Sequence, residues 1–593
     1  MVKNAQPSSE AEGRIRAEVS EDKLKSHVEY FCSLGEKLAG TEEEAKAARY
    51  IMDELAAAGV SAKMHEFASY VSHPISAGFS IHFPQERSFE AVGVSFGVST
   101  PAGGFSAEVV HVGAGTEADY QGLEVKGKIV LVDKLPSPER TVNAIKAGAA
   151  AMVCMSEGKM RHKMIVTPVW GTPSLEDKDK IPRIPVVSIS GLDGAPLKKL
   201  VKAGMVLGTV KAKNREGWRT LRLPVAEIKG KRPEFILVGG HYCSWFQGST
   251  DNATGNSCLI ELARLLQKRQ GSLKYGVRLA WWPGHSHGRY SGSTWYADTF
   301  WQDLYDNGIV YFNIDSPGVR GATVYVPRHQ MAEVSEFNEG CVHELTDWGT
   351  MKTFEAQLDL GRRRGKYINA TRPSRAADQS FWGVGLTSLG VYGMMPPDHP
   401  DRAKDVGGSG GAWWWHSVDE TVDKADAGVL GQDTRLYVSI IWRLATSAVL
   451  PFNPAVIAQD YLDALKEYEE AAGQWVPVKE LMGKMEEFQK KAEALTAAGK
   501  GLPAGEEAER LNRLFLRLSR VLNPPLYTEV QPFDHQPAVA TPLVPDLAPC
   551  LKLAQMNPDS DDFKFLATQL RRKTNKITHF ITEAARLIDL WQK

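Results

Sequence analysis

Cysteine is scarce: six residues in 593, at Cys32, Cys154, Cys243, Cys258, Cys341 and Cys550, with no Cys-x-x-Cys pair among them. Such wide spacing suits a reducing compartment better than a disulfide framework. Neither sign of charge dominates, since 70 Lys and Arg face 71 Asp and Glu. This removes any global electrostatic case for nucleic acid or an anionic membrane as partner. No run approaches the roughly 20 apolar residues that span a bilayer. The polar stretch Met1–Arg16 lacks the apolar region of a secretory signal, so the expectation is a cytoplasmic protein. What is present is 43% hydrophobic and 24% charged, the balance of a soluble globular protein. At roughly 150 residues per domain, the length calls for three or four units.

Read in order, the chain changes character three times. Residues 22–66 hold two helical patterns and a strand. The second helix starts after Thr41, whose hydroxyl can cap it with Glu44 three residues on, and Ala48, Ile51, Leu55 and Ala58 recur at helical spacing. Residues 75–220 alternate short β-rich runs with glycine turns and few helices, and read as an inserted domain, a lid or spacer. From Glu234 the rhythm becomes βαβ: Phe235–Val238, a helix at Cys258–Leu266, Val277–Trp281, a helix near Thr294, and Ile309–Asp315. That alternation predicts a mostly parallel sheet covered by helices. Past Leu450 four amphipathic patterns, 457–472, 478–496, 506–521 and 563–591, predict a helical module with a dimerisation or packing role.

Chemistry-bearing residues stand at or just past the predicted strand ends: His241, Asp251, His285, His287, Asp315 and, beyond a Gly/Trp loop at Asp401–Trp415, His416. Strand-end loops of one parallel sheet converge on one edge, so these side chains can form one cluster. Imidazole with carboxylate suits zinc, and also iron, manganese or cobalt. Trp413-Trp414-Trp415, with Trp245, Phe246 and Trp382, are candidates for an aromatic pocket or for ordinary packing. Arg289 is a candidate partner of a substrate carboxylate or a surface arginine. Asp419 is a candidate to orient His416 or to cap a helix.

Gly239-Gly240-His241-Tyr242, Thr250-Asp251-Asn252-Ala253-Thr254-Gly255, Asn313-Ile314-Asp315 and His416-Ser417-Val418-Asp419-Glu420 together resemble the metal-site motifs of the co-catalytic zinc aminopeptidases. That family includes glutamate carboxypeptidase II and the catalytically inert transferrin receptor. The resemblance implies one metal on His241, Asp251 and Asp315, and a second that shares Asp251 and adds His416 and a glutamate. That glutamate should be the second of a Glu-Glu pair whose first member is the general base. This chain departs from the pattern: with Gly284 and Gly288 aligned to the family's glycines, His285 takes the base position and Ser286 the ligand position. His287 follows directly. Cys243 stands where the family has an aspartate that hydrogen-bonds the ligand histidine.

The fold implied is α/β, a mostly parallel sheet in a zinc-peptidase-like domain (1–74 and 221–450). It carries an inserted β-rich, protease-associated-like domain (75–220) and a C-terminal helical, dimerisation-like module (451–593). The expected function is metal-dependent hydrolysis of an amide bond in a small molecule or short peptide. A divalent metal, zinc first with iron or manganese as alternatives and one or two ions, sits on His241, Asp251, His287, Asp315 and His416. His285 is the expected proton carrier, since an imidazole with a pKa near roughly 6.5 suits transfer at neutral pH, and Tyr392 is a candidate oxyanion donor. Two other readings stay open: a binding or scaffold relative without catalysis, and a mononuclear iron enzyme of different chemistry. A homodimer is the expected assembly.

Overall fold

The computed structural model of the chain describes residues 9–346, 372–373, 376–403 and 406–592. The first eight residues of the polar N-terminal stretch and positions 404–405 of the Gly/Trp loop lie outside these.

The helix Glu42–Ala57 begins where the sequence predicts: Thr41 Oγ1 accepts from the Glu44 amide at 3.5 Å, and Glu44 Oε2 accepts from the Gly40 amide at 2.9 Å. Its buried face, Ala48, Ile51 and Leu55 among others, packs into the largest apolar core. The following strand β1 (Ser61–Phe83) is far longer than the short strand the sequence suggests. It pairs antiparallel with the equally long β8 (Leu207–Ile228), from Ser61 opposite Glu227 to Phe83 opposite Leu207. The boundaries expected at 74/75 and 220/221 therefore fall inside one continuous ribbon that leads out to the insert and back.

Between the ribbon strands lie β2 (Arg87–Glu90), β3 (Val92–Gly93), β4 (Phe105–His111), β5 (Ile129–Val132), β6 (Ala151–Met155) and β7 (Val186–Ile189). Strands β4 to β7 are parallel and carry the helices Pro138–Lys146 and Gly191–Ala203, so the insert has its own core.

The central sheet runs β8, β10 (Gly276–Trp282), β9 (Phe235–His241), β11 (Gly308–Asn313), β13 (Thr387–Met394), β12 (Val324–Arg328). β10, β9, β11 and β13 are mutually parallel, with β8 and β12 antiparallel at the flanks. β9 is buried along its whole length, as a strand covered on both faces must be. At Gly240 an added Cβ would lie 2.5 Å from the Ile314 carbonyl oxygen. Only glycine lets the end of β9 come so close to the chain leaving β11, and this closeness brings His241 and Asp315 together.

The C-terminal helices Pro454–Ala472, Val478–Gly499, Glu506–Tyr527 and Asp561–Trp591 follow the predicted patterns and share the main core with the sheet domain. Arg520 is one of the polar ties. Its guanidinium donates to the carbonyls of Tyr305 (3.0 Å), Gly385 (2.9 Å) and Leu304 (3.0 Å), and also to that of Gly308.

Candidate metal centre

Parallel topology places the C-terminal ends of β9, β10 and β11 side by side, and the loops leaving them build the site. His241 is the last residue of β9. Its Nδ1–H donates to the Cys243 carbonyl at 3.0 Å, which turns Nε2 inward. The main chain at Cys243 thus does the orienting work for which the family resemblance implies an aspartate side chain. Nε2 lies 2.8 Å from Asp251 Oδ1 and 3.6 Å from Asp315 Oδ1.

Asp251 stands just ahead of the helix Thr254–Gln267. Its other oxygen, Oδ2, accepts from Trp415 Nε1 at 2.6 Å and meets His416 Nε2 at 2.8 Å. Asn252 ties the surrounding loops together. Its Nδ2 donates to the His241 and Ile314 carbonyls, both at 3.2 Å, and its Oδ1 accepts from the Ser316 amide at 3.0 Å. One ligand atom from each of His241, Asp251 and Asp315 lies within 4.8 Å of the others.

These atoms fit a metal better than they fit each other. His241 Nε2 and Asp251 Oδ1 are buried and only 2.8 Å apart, yet neither makes a hydrogen bond of acceptable geometry. Buried polar atoms are seldom left so. An ion seated among them would take up both atoms, as nitrogen and oxygen ligands of a zinc-class ion. Burial would drive the proton off His241, but the Asp251 carboxylate outweighs it and carries the imidazole well above its ordinary pKa. Burial would likewise raise Asp251, but His241 and His416 hold it well below the usual carboxylate range.

The loop after β10 splits its two histidines. His285 stacks on His241, with ring centres 3.8 Å apart and planes 10° apart. Its Nε2 pairs with the Tyr290 hydroxyl at 3.0 Å and its Nδ1 with Ser286 Oγ at 2.9 Å. Burial, reinforced by the charge on His241, pushes it well below its ordinary value. His287, expected as a ligand, turns the other way. Its Nδ1 accepts from the Ala39 amide at 3.4 Å, its carbonyl accepts from the Ser72 amide at 2.8 Å, and its ring packs edge to face on His73 and Trp245. Trp245 also packs edge to face on His416 and so stands between the two imidazoles. The loop thus sets His285 against His241 and His287 against Ala39, Ser72 and Trp245, with His287 Nε2 buried and without a hydrogen bond.

A cavity of about 270 Å³ opens on the cluster, lined by Asp251, His285, Asp315, Tyr392 and His416 on the sheet side. Pro136, Pro138, Met164 and Ile165 of the insert also line it. Tyr392 Oη accepts from Asn313 Nδ2 at 2.6 Å, and burial with the nearby Asp315 charge keeps the phenol protonated. Arg289, read from sequence as surface or substrate-facing, is 6% exposed and lines the cavity. Of the three consecutive tryptophans, Trp415 alone reaches the cavity, while Trp414 packs in a small core with Val319 and Met395.

Five non-glycine residues lining the cavity, Arg289, Tyr290, Ser316, His329 and His416, have φ between 51° and 65°. Backbone strain of this kind gathers at functional sites.

Sequence reading missed Glu420. Its Oε2 accepts from the His416 amide and its Oε1 from Thr250 Oγ1, both at 2.8 Å. It holds the His416 loop through the main chain. Burial and the Asp251 charge push its carboxyl well above the usual range. Its place in His-Ser-Val-Asp-Glu was the available signal.

Residues 225–437 match the model of Peptidase family M28, and residues 105–197 match that of the PA domain. The chain is similar to "Probable glutamate carboxypeptidase VP8" of Zea mays, 23% identical over 346 residues, 47% of this chain and 48% of the relative. It is also similar to "Carboxypeptidase Q" of Xenopus laevis, 28% identical over 232 residues, 36% of this chain and 48% of the relative. The chain thus spans about half the length of the curated relatives it matches. Its fold is like that of BSAP, a zinc aminopeptidase from Bacillus subtilis: TM-score 0.50, 20% identity, covering 72% of this chain and 95% of that one.

Proposed function

We propose that this chain, which carries a peptidase family M28 domain and a PA domain, is a metal-dependent hydrolase of amide bonds in small molecules or short peptides. The observation that carries the reading is the convergence of His241, Asp251 and Asp315 on a cavity, with His241 Nε2 and Asp251 Oδ1 buried and unmatched. The three residues would hold one divalent ion, zinc by the likeness to a zinc aminopeptidase. An ion held there supplies Lewis-acid polarisation of a carbonyl and acidifies water.

The residues of the chain divide the remaining work. His416 meets the second oxygen of Asp251 and, with Trp415, fixes the rotation of that carboxylate. A second ion would need a third donor beside Asp251 and His416. His285 stacks on His241 with both nitrogens engaged, and His287 Nδ1 faces Ala39 while its buried Nε2 has no hydrogen-bond partner. The ligand atoms that converge among the described residues are those of His241, Asp251 and Asp315, so one ion is the reading supported. His285 stays the proposed proton carrier through its Nε2, 3.0 Å from the Tyr290 hydroxyl that lines the cavity, as a far weaker base than the free imidazole the sequence suggests. Tyr392, kept protonated, can donate to a developing oxyanion. The cavity of about 270 Å³, walled by the insert, favours small substrates over folded protein. Six buried free cysteines support a reducing, cytoplasmic location, and the homodimer stays part of the proposal.

Metal analysis after reconstitution tests the reading, alongside amine release from short peptides. One equivalent of zinc, lost in His241→Ala together with amine release, is the expected result. A protein that takes up no stoichiometric transition metal overturns it, and iron content with oxygen consumption would select the iron chemistry instead.

A further inference from the structure

The inserted domain bonds directly to His416 through the segment His162–Ile165 between β6 and β7. His416 Nδ1–H donates to the Lys163 carbonyl at 2.9 Å, and the Lys163 amide donates back to the His416 carbonyl at 3.1 Å. His162 Nδ1 contacts the Trp415 carbonyl alongside. The segment is tied to its own domain through Ser95, whose amide donates to the Met164 carbonyl at 2.9 Å and whose carbonyl accepts from the Val166 amide at 3.1 Å.

It is tied to the sheet domain through the Lys163 side chain. Nζ pairs with Glu36 Oε1 at 2.5 Å and stands 4.4 Å from the centre of the Phe246 ring. The same Glu36 oxygen accepts from the Phe246 amide at 3.2 Å. The next two residues, Met164 and Ile165, form part of the cavity wall.

These contacts make a chain of positions. The Lys163 carbonyl sets which nitrogen of His416 carries the proton and turns Nε2 toward Asp251. His416 then meets Asp251 Oδ2, whose other oxygen faces the His241–Asp315 cluster. Outer partners of this kind fix ring orientation and ligand basicity, and their loss typically weakens metal binding by about 10- to 100-fold. In most orienting contacts at this centre the partner comes from the sheet domain itself. Here it comes from a separate domain joined only by the β1–β8 ribbon and by docking contacts.

We propose that Lys163 is a positioning residue through which the inserted domain sets the metal-binding geometry: its main chain holds His416, its side chain clamps the segment to Glu36, and separation of the two domains weakens the metal site. This rests on the metal reading above, with His241 and Asp251 as ligands. The insert is then more than the lid or spacer its sequence suggests, because the segment that walls the substrate cavity also braces the centre.

Cobalt(II) binding to the full-length protein tests this, followed by calorimetry and by the visible absorption of the bound ion. Lys163→Met and Glu36→Gln break the clamp from opposite domains. Each should weaken Co(II) binding about tenfold and shift the absorption bands. The double variant should be no worse than either single one, and neither substitution should add to His416→Gln.

Unchanged affinity and spectrum in both variants would overturn the proposal, as would full additivity with His416→Gln, which would place the effect elsewhere. Thermal melts of the metal-free variants separate a loosened clamp from an unfolded insert, and Glu36→Gln, isosteric and outside the insert, keeps the test decisive if Lys163→Met fails to fold. His241→Ala distinguishes the two readings: if it binds Co(II) as the parent does, the metal assignment itself has failed.

Discussion

At the scale of the residue, the site depends on which of two neighbouring imidazoles points inward. Spacing alone cannot rank His285 and His287. The backbone of β1 and the Ala39 amide capture His287, and His285 is left stacked on His241. His287→Ala should therefore keep its metal, with a cost to stability of about 2–4 kcal/mol for a buried ring, read by denaturant titration beside metal analysis. Tyr290→Phe should keep its metal too but lose about 10²-fold in kcat, the scale of a lost proton-transfer partner, measured as amine release at saturating peptide. Unchanged kcat would remove Tyr290 from proton transfer.

Lys37 offers a test unconnected with catalysis. Its buried ammonium donates to the carbonyls of Phe31 (3.1 Å), Gly35 (2.9 Å) and Gln247 (3.0 Å). Burial, partly offset by nearby Cys32 and Cys243, brings it down from 10.5 to about 8. Between those values the unfolded chain holds a proton that the folded chain has released, so stability rises with pH across the window. Below about 8 both forms are protonated and the slope vanishes. Chemical denaturation from pH 7.5 to 10.5 should show this rise in the parent and less of it in Lys37→Met.

At the scale of the element, helices were more legible than strands. The helix Glu42–Ala57 carries its start in Thr41 and Glu44 and its buried face in Ala48, Ile51 and Leu55, all local signals. β1 is different: its 23 residues include His73, Pro74 and a polar stretch that no alternation marks. Its length comes from pairing with β8, a partner more than a hundred residues away. The helix Glu506–Tyr527 shows the same dependence on distant contacts. Arg520 is buried on it and fills the carbonyl ends left at Leu304, Tyr305 and Gly385. Arg520→Ala should destabilise the protein by about 2–4 kcal/mol, since several buried acceptors lose their donor at once. A drop in melting temperature with intact far-ultraviolet helicity at low temperature would confirm the docking role.

At the scale of the whole molecule, the peptidase-like sheet shares its main core with the C-terminal helices and its cavity with the insert. A ligand that binds only the folded state stabilises it by mass action, about 2.7 kcal/mol at a free concentration one hundred times Kd. Zinc should therefore raise the melting temperature of the metal-free protein, and a chelator should reverse the rise. Asp315→Asn should show little of either effect. A melting temperature indifferent to zinc in the parent would argue against a preformed site.

The sequence by itself determined the layered α/β plan, the helical C-terminal module and the identity of the residues at the strand ends. Those features follow from local periodicity and from the rule that loops at one end of a parallel sheet gather. Tertiary structure alone decided which histidine faces the cluster, that a main-chain carbonyl at Cys243 orients His241, that Glu420 holds the main chain at His416, and that the insert reaches the centre through Lys163. Each of these is a contact between segments far apart in the chain or a rotation about a single side chain, and neither leaves a periodic trace in the order of residues.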